Sequence, residues 1–135
     1  MVLPFVNARI VNPEGAVLIG QTANLQRKPY PCFWDLPGGK LESGEQPGNC
    51  IKREIQEELQ VRVVSVKLVD VFHHTTGNFR PEYNGQIHGL GLCYDAMIEG
   101  DLKPTEQENV HYALPAELKT LKLTPWAEYY LRDLL

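Results

Sequence analysis

The stretch from Gly38 to Val61, GGKLESGEQPGNCIKREIQEELQV, constrains this 135-residue chain more than any other. A glycine pair opens it and a polar loop follows. Pro47 then suits the first position of a helix, where a missing N–H costs little. The helix is predicted to run from Pro47 to about Leu59. At about 100° per residue, Glu54, Glu57 and Glu58 fall on one face, with Cys50 one turn earlier. Ile51, Ile55 and Leu59 form the adjacent apolar stripe, and Lys52, Gln56 and Gln60 point away. The helix therefore carries a core stripe, a solvent stripe and a separate carboxylate stripe.

The carboxylate stripe is costly. Glu54 and Glu58 are a like-charged pair one turn apart, unfavourable by about a few tenths of a kcal/mol. All three glutamates sit towards the helix C-terminus, where the macrodipole disfavours anions. A plain reading is a solvated acidic face, with Arg53 and Glu57 as an ion pair. A divalent cation would instead reverse the sign of the interaction, since carboxylate oxygens suit Mg²⁺, Mn²⁺ or Ca²⁺. The preceding loop weighs on the choice: Gly38 and Gly39 free the backbone for positive φ and for close approach to a ligand. Glycines beside convergent carboxylates suggest phosphate chemistry bridged by metal ions.

Charge bears on the same question. With 13 Lys and Arg against 17 Asp and Glu, the net charge is -4, which disfavours gripping nucleic acid or an anionic membrane by bulk charge. Taken alone it also argues against a polyphosphate ligand. Yet residues 39–61 hold five acidic and three basic residues, so half of the excess is local. Two Mg²⁺ ions would cancel the formal total, and the objection to a polyphosphate lapses for a metal-loaded protein. The length is that of one domain, residues 1–135. The longest apolar runs are too short to span a bilayer, and the N-terminus does not read as a signal peptide. Cys32, Cys50 and Cys93 are odd in number and widely spaced, as free thiols in a reducing cytoplasm would be.

Along the chain, Val2 to Val11 is predicted as a strand, Asn12 to Gly15 as a turn, and Ala16 to Ile19 as the returning arm of a hairpin. Gln21 to Phe33 reads as a loop, and Trp34-Asp35-Leu36 as a short apolar-centred segment. Val61 to Phe72 reads as a strand or bent pair, His73 to Asn84 as a loop, Gln86 to Ile98 as a long strand and Val110 to Leu114 as a short one. Pro115 opens a short helix, and Thr124-Pro125 caps a last helix bearing Trp126, Tyr130, Leu131 and Leu134. Strands without regular βαβ alternation give an α+β class.

The segment resembles the Nudix box, G-x5-E-x7-R-E-U-x-E-E-x-G-U, with U a bulky apolar residue. Gly39 is the opening glycine, Glu45 the first glutamate, Arg53 to Leu59 follow in register and Val61 closes it; Trp34 to Gly39 is similar to the family's lead-in. Gln60 stands where the final glycine belongs. That glycine looks like a left-handed helix terminator, where another residue costs about 1 kcal/mol, so the turn after the helix is in question.

The resemblance implies a mixed β-sheet sandwiched between α-helices, and hydrolysis of a nucleoside diphosphate linked to another group, using Mg²⁺ or Mn²⁺. Carried over by position, Glu54, Glu57 and Glu58 are the implied metal ligands, joined by the Gly38 carbonyl. Arg53 is the implied orienting partner of the carboxylates, and Glu45 supports the loop. Glu54 is one candidate base. A carboxylate downstream of the box serves in many relatives, and Glu106, ahead of Glu108, is the choice here. The implied substrate is a (d)NTP, damaged ones included, cut to NMP and pyrophosphate. ADP-ribose or a nucleotide sugar is the alternative, and a non-catalytic nucleotide-binding module the third reading. Many relatives dimerise, which admits a homodimer.

Other residues carry weaker expectations. His73 and His74 precede a Thr-Thr-Gly loop and lack a third metal ligand nearby. Arg9, Arg27, Lys28 and Arg80 suit surface solubility better than phosphate contact. Gln21 stands where many relatives place an arginine. Phe33, Trp34, Phe79 and Tyr83 are candidates for stacking on a base, Trp34 reading rather as core. Cys50 reads as a small packing residue.

Overall fold

A computed structural model describes residues 2–24, 30–76 and 87–135. Its strands are β1 (Val2–Arg9), β2 (Val17–Gln21), β3 (Trp34–Asp35), β4 (Gly38–Lys40), β5 (Arg62–Thr76), β6 (Ile87–Glu99) and β7 (Glu108–Ala113). Its helices are α1 (Pro47–Leu59), α2 (Pro115–Leu118) and α3 (Pro125–Tyr130), the last followed by a 3-10 turn at Arg132–Leu134. The class is α+β, as expected.

The strands form a mixed four-stranded sheet, β4-β1-β6-β5, and an antiparallel three-stranded sheet, β3-β2-β7. Within the larger sheet β1 runs parallel to β6, with Val6 beside Leu92 and Asn7 beside Cys93. The expected hairpin forms only at its tip, where the Asn12 N–H donates to the Ala16 carbonyl and the Leu18 N–H to the Ile10 carbonyl. Asn12 makes the turn, its Oδ1 accepting the N–H groups of Glu14 and Ala16. After the Val11–Val17 bridge, however, β1 and β2 part into different sheets. The reason is burial: Val17, Leu18, Ile19 and Gly20 are all buried. A strand apolar on both faces belongs between two cores rather than at the edge of a hairpin.

Those cores lie on opposite sides. Ile51, Ile55 and Leu59 of α1, each 1% exposed or less, pack with Val6, Ala8, Ile10, Leu18 and Tyr94. Full burial of each such side chain stabilises by about 1.5–3 kcal/mol. Val17, Ile19, Leu36, Cys93, Ala127, Tyr130 and Leu131 make the second core beneath α3. Helices thus cover both sides, and the alternation of Leu18 against Val17 and Ile19 ties the two cores through β2.

Two boundaries differ from expectation. His73 to Thr76 continue β5 instead of looping, because they pair with Leu90, Gly89, His88 and Ile87 of β6. The rest of that loop lies outside the described residues. β5 is one strand, the first of the two readings, with its register shifted between Val63 and Ser65 and between Leu68 and Asp70. α3 ends at Tyr130, one residue before Leu131 takes φ -103°.

Candidate active site

The carboxylate face of α1 is built against β4. Asn7 of β1 pairs with Gly38 and Val6 with Gly39, which lays the glycine strand across the helix. Neither glycine is needed for positive φ; among the described glycines that role falls to Gly15, Gly44 and Gly100. What the pair supplies is space. A Cβ on Gly38 would overlap the Val6 carbonyl oxygen, and one on Gly39 would overlap the Glu54 carboxylate. The group that approaches Gly39 is the helix's own glutamate.

Arg53 organises one side of the stripe. Its Nε donates to Glu45 Oε2 at 2.7 Å and its Nη2 to Glu45 Oε1 at 3.0 Å, a bidentate pair. Its Nη1 donates to Glu54 Oε1 at 3.0 Å and to Glu57 Oε2 at 3.1 Å. Glu45 in turn accepts the Glu42 N–H, which closes the loop. The hydrogen bonds from Arg53 hold the Glu45 carboxyl down at about 2. Arg53 is thus tied to Glu45, Glu54 and Glu57, and Glu45 to the turn at Glu42. Cys50 is buried in the core beside them, its Sγ 3.5 Å from the Lys40 carbonyl, and burial pushes its thiol up to about 12. That is a packing residue.

Glu58 organises the other side. It is 7% exposed, and its Oε2 is buried without a hydrogen-bond partner. Burial first, then the charges of Glu54, Glu106 and Asp35, push its carboxyl up to about 9, against the Gly38 N–H that lowers it. Burial likewise raises Glu54. At about 9 the Glu58 carboxyl favours its protonated form at neutral pH, and a bound cation would favour the charged form instead. The donor set would suit a hard divalent ion: an orphaned buried oxygen on Glu58 and the Glu54 carboxylate beside it, with the negative charge of the exposed Glu106 felt from the loop before β7. Glu57 is turned outward to Arg53 and is exposed. Accordingly, among the described residues no three His, Cys, Asp or Glu side chains stand as a closed metal cluster. Glu108 pairs with Gln21 across the β2–β7 ladder.

Two residues beside the site are not singled out in the sequence, where Asp35 reads only as part of the lead-in to the box. Asp35 accepts hydrogen bonds from the Leu36 N–H at 2.7 Å, Trp126 Nε1 at 2.9 Å and Thr124 Oγ1 at 3.1 Å. Burial pushes it up to about 7. Asn7 donates to the Leu36 carbonyl, and its own buried Oδ1 has no partner. Both depend on contacts between residues 29 or more positions apart, so local spacing held no trace of them. Around Trp126, the rings of Phe5 and Tyr30 each lie 5.4 Å away, and Tyr30 meets Phe33 at 5.4 Å.

The weaker expectations sort as follows. Gln60 does take the left-handed geometry, φ 56° and ψ 43°. Trp34 packs against the second core, edge-on to His111. Arg9 is engaged by Asp95, Asp133 and the Tyr130 carbonyl. His73 lies 3.3 Å from His88 on the neighbouring strand. Arg27, Lys28, Phe79, Arg80 and Tyr83 lie outside the described residues, as does the side chain of His74.

The NUDIX domain profile matches residues 3–134. Nucleoside triphosphatase NudI of Escherichia coli is 30% identical over 129 residues, covering 84% of this chain and 91% of that protein. The 8-oxo-dGTP diphosphatase of Proteus vulgaris is 45% identical over 42 residues, 31% of this chain and 38% of its own length. The crystal structure of a MutT NUDIX hydrolase from Burkholderia pseudomallei superposes with a TM-score of 0.81 at 25% identity, covering 100% of this chain and 99% of that one.

Proposed function

The chain belongs to the NUDIX domain family, and on that premise we propose that it is a metal-dependent pyrophosphohydrolase. Its substrate is a (d)NTP or a modified NTP, cleaved to NMP and pyrophosphate. The observation that carries the reading is Glu58: a buried carboxyl with an orphaned oxygen, between Glu54 and Glu106, at the end of a box helix with every glutamate in place. An aromatic group of Phe5, Tyr30 and Trp126 stands next to Asp35, which suits a nucleobase near the same centre. A cytoplasmic setting accords with the free thiols.

Glu54, Glu58 and, after rotation away from Arg53, Glu57 would hold Mg²⁺ or Mn²⁺, with the Gly38 carbonyl as a further ligand. When bound, the ion neutralises the pyrophosphate and lowers the pKa of the attacking water. The chain's own residues do the rest. Arg53 orients Glu54 and Glu57 and pins the Glu45 loop. Glu106 accepts the water's proton as the water oxygen bonds to phosphorus and the bridging P–O bond breaks towards pyrophosphate.

The test is a panel of the four dNTPs, 8-oxo-dGTP, ADP-ribose and UDP-glucose with Mg²⁺, followed by product analysis. Release of NMP and pyrophosphate from one or more triphosphates is expected. Dominant turnover of ADP-ribose or UDP-glucose replaces the substrate class, and no turnover at all replaces the hydrolase by a nucleotide-binding module. Glu57→Gln is expected to lower kcat by about two or more orders of magnitude with the fold intact. Parent-like turnover would remove Glu57 from the metal site.

A further inference from the structure

The last carbonyls of a helix have no partners within it. In α1 a single loop supplies them. Thr105 Oγ1 donates to the Glu57 carbonyl at 2.9 Å, the Thr105 N–H to the Glu58 carbonyl at 2.9 Å, and the Lys103 N–H to the Leu59 carbonyl at 2.8 Å. The helix reaches back as well: Gln60 Nε2 donates to the Lys103 carbonyl at 3.1 Å. On the far side of Glu106, the Gln107 side chain lies against Gly20, where a Cβ would strike it. Asn109, at φ 54°, donates through Nδ2 to Gln21 Oε1 at 2.8 Å. Glu106 thus sits between two anchored points, one residue beyond the Thr105 cap on the very helix that carries Glu58.

We propose that Thr105 is a positioning residue for Glu106, with Gln60 as its second tether. The proposal rests on the reading of Glu106 as proton acceptor. It also accounts for the departure from the family's box. A glycine at position 60 would end the helix at lower backbone cost, but it has no amide to hold Lys103. The left-handed Gln60 accepts the strain and gains a bond to the loop that presents Glu106.

The experiment compares Thr105→Val, Thr105→Ser, Gln60→Gly and Glu106→Gln in the full chain, with Mg²⁺ and the dNTP turned over fastest. Thr105→Val keeps the shape and the backbone N–H and loses the hydroxyl donor. Its kcat is expected to fall about tenfold with KM within about twofold of the parent. Thr105→Ser, which restores the donor, is expected to restore kcat. Gln60→Gly is expected to melt no lower than the parent and yet to lose kcat. Without metal or substrate, amide exchange at Lys103 and Thr105 is expected to quicken about fivefold in Thr105→Val and Gln60→Gly.

Parent-like kcat in Thr105→Val beside an impaired Glu106→Gln overturns the positioning role and leaves the hydrolase reading standing. Unchanged amide exchange overturns the tether in the same way. Parent-like turnover in Glu106→Gln leaves nothing to position and overturns the proposal at its base. A parent inactive on the whole panel overturns the hydrolase reading itself.

Discussion

At the scale of the residue, the site turns on what a side chain excludes as much as on what it supplies. Gly39 has no room for a Cβ because the Glu54 carboxylate occupies that place. The obstructing atoms are the far end of a flexible side chain, so an alanine would displace Glu54 from Arg53 at small cost to the fold. Gly39→Ala is therefore expected to change stability by less than about 1 kcal/mol while lowering kcat by about tenfold or more. Thermal melts and steady-state kinetics on the same preparations check it; parallel loss of both would place the role of Gly39 in folding alone.

At the scale of the element, each helix is specified at its ends by neighbours of different reach. α1 begins at Pro47 and buries Ile51, Ile55 and Leu59. All of that was legible locally, since a proline at the first turn and an apolar stripe act within the helix itself. Its far end was legible only in part. The left-handed Gln60 follows from the box position, but the cap from Thr105 joins residues 47 or more positions apart and has no local sign. α3 repeats the contrast. Thr124 Oγ1 accepts the Ala127 N–H, the cap expected ahead of Pro125. The same hydroxyl also donates to Asp35, which no local pattern contains. Thr124→Ala is expected to cost about 1 kcal/mol or somewhat more, with Thr124→Ser close to the parent. Urea unfolding reads the difference, and an alanine variant as stable as the parent would dismiss the cap.

At the scale of the whole molecule, carboxyls shifted in opposite directions set the pH dependence. Burial raises Asp35 to about 7 and Glu58 to about 9. A raised carboxyl favours the folded state while protonated, so this contribution is full below its unfolded pKa near 4 and is lost as pH rises through 7 and 9. Glu45, lowered to about 2, works the other way: its contribution is present above about 4.5 and lost as pH falls towards 2. Protein stripped of metal by chelation is accordingly expected to be less stable at pH 9 than at pH 6. Glu58→Gln should reduce that loss, and added Mg²⁺ should stabilise the parent more at pH 9, where the ion displaces no proton. Urea midpoints at the two pH values measure this, and an unchanged loss in Glu58→Gln would assign it elsewhere.

The sequence by itself determined the box helix, its three faces, the carboxylate stripe and the family, because helix periodicity and motif spacing act over one or a few turns. It also marked β1, β2, β6, β7 and most of β5, but it read the β4 residues and the end of β5 as loop, and it held no sign of the strand order. Only the tertiary structure decided that β1 and β2 part into two sheets, that Asp35 and Asn7 pack beside the box glycines, that Glu57 faces Arg53, and that the loop carrying Glu106 is tied by Thr105 to the end of α1. Those outcomes depend on burial from both sides and on hydrogen bonds closed across long loops. Such terms are written into the chain only when distant residues are brought together.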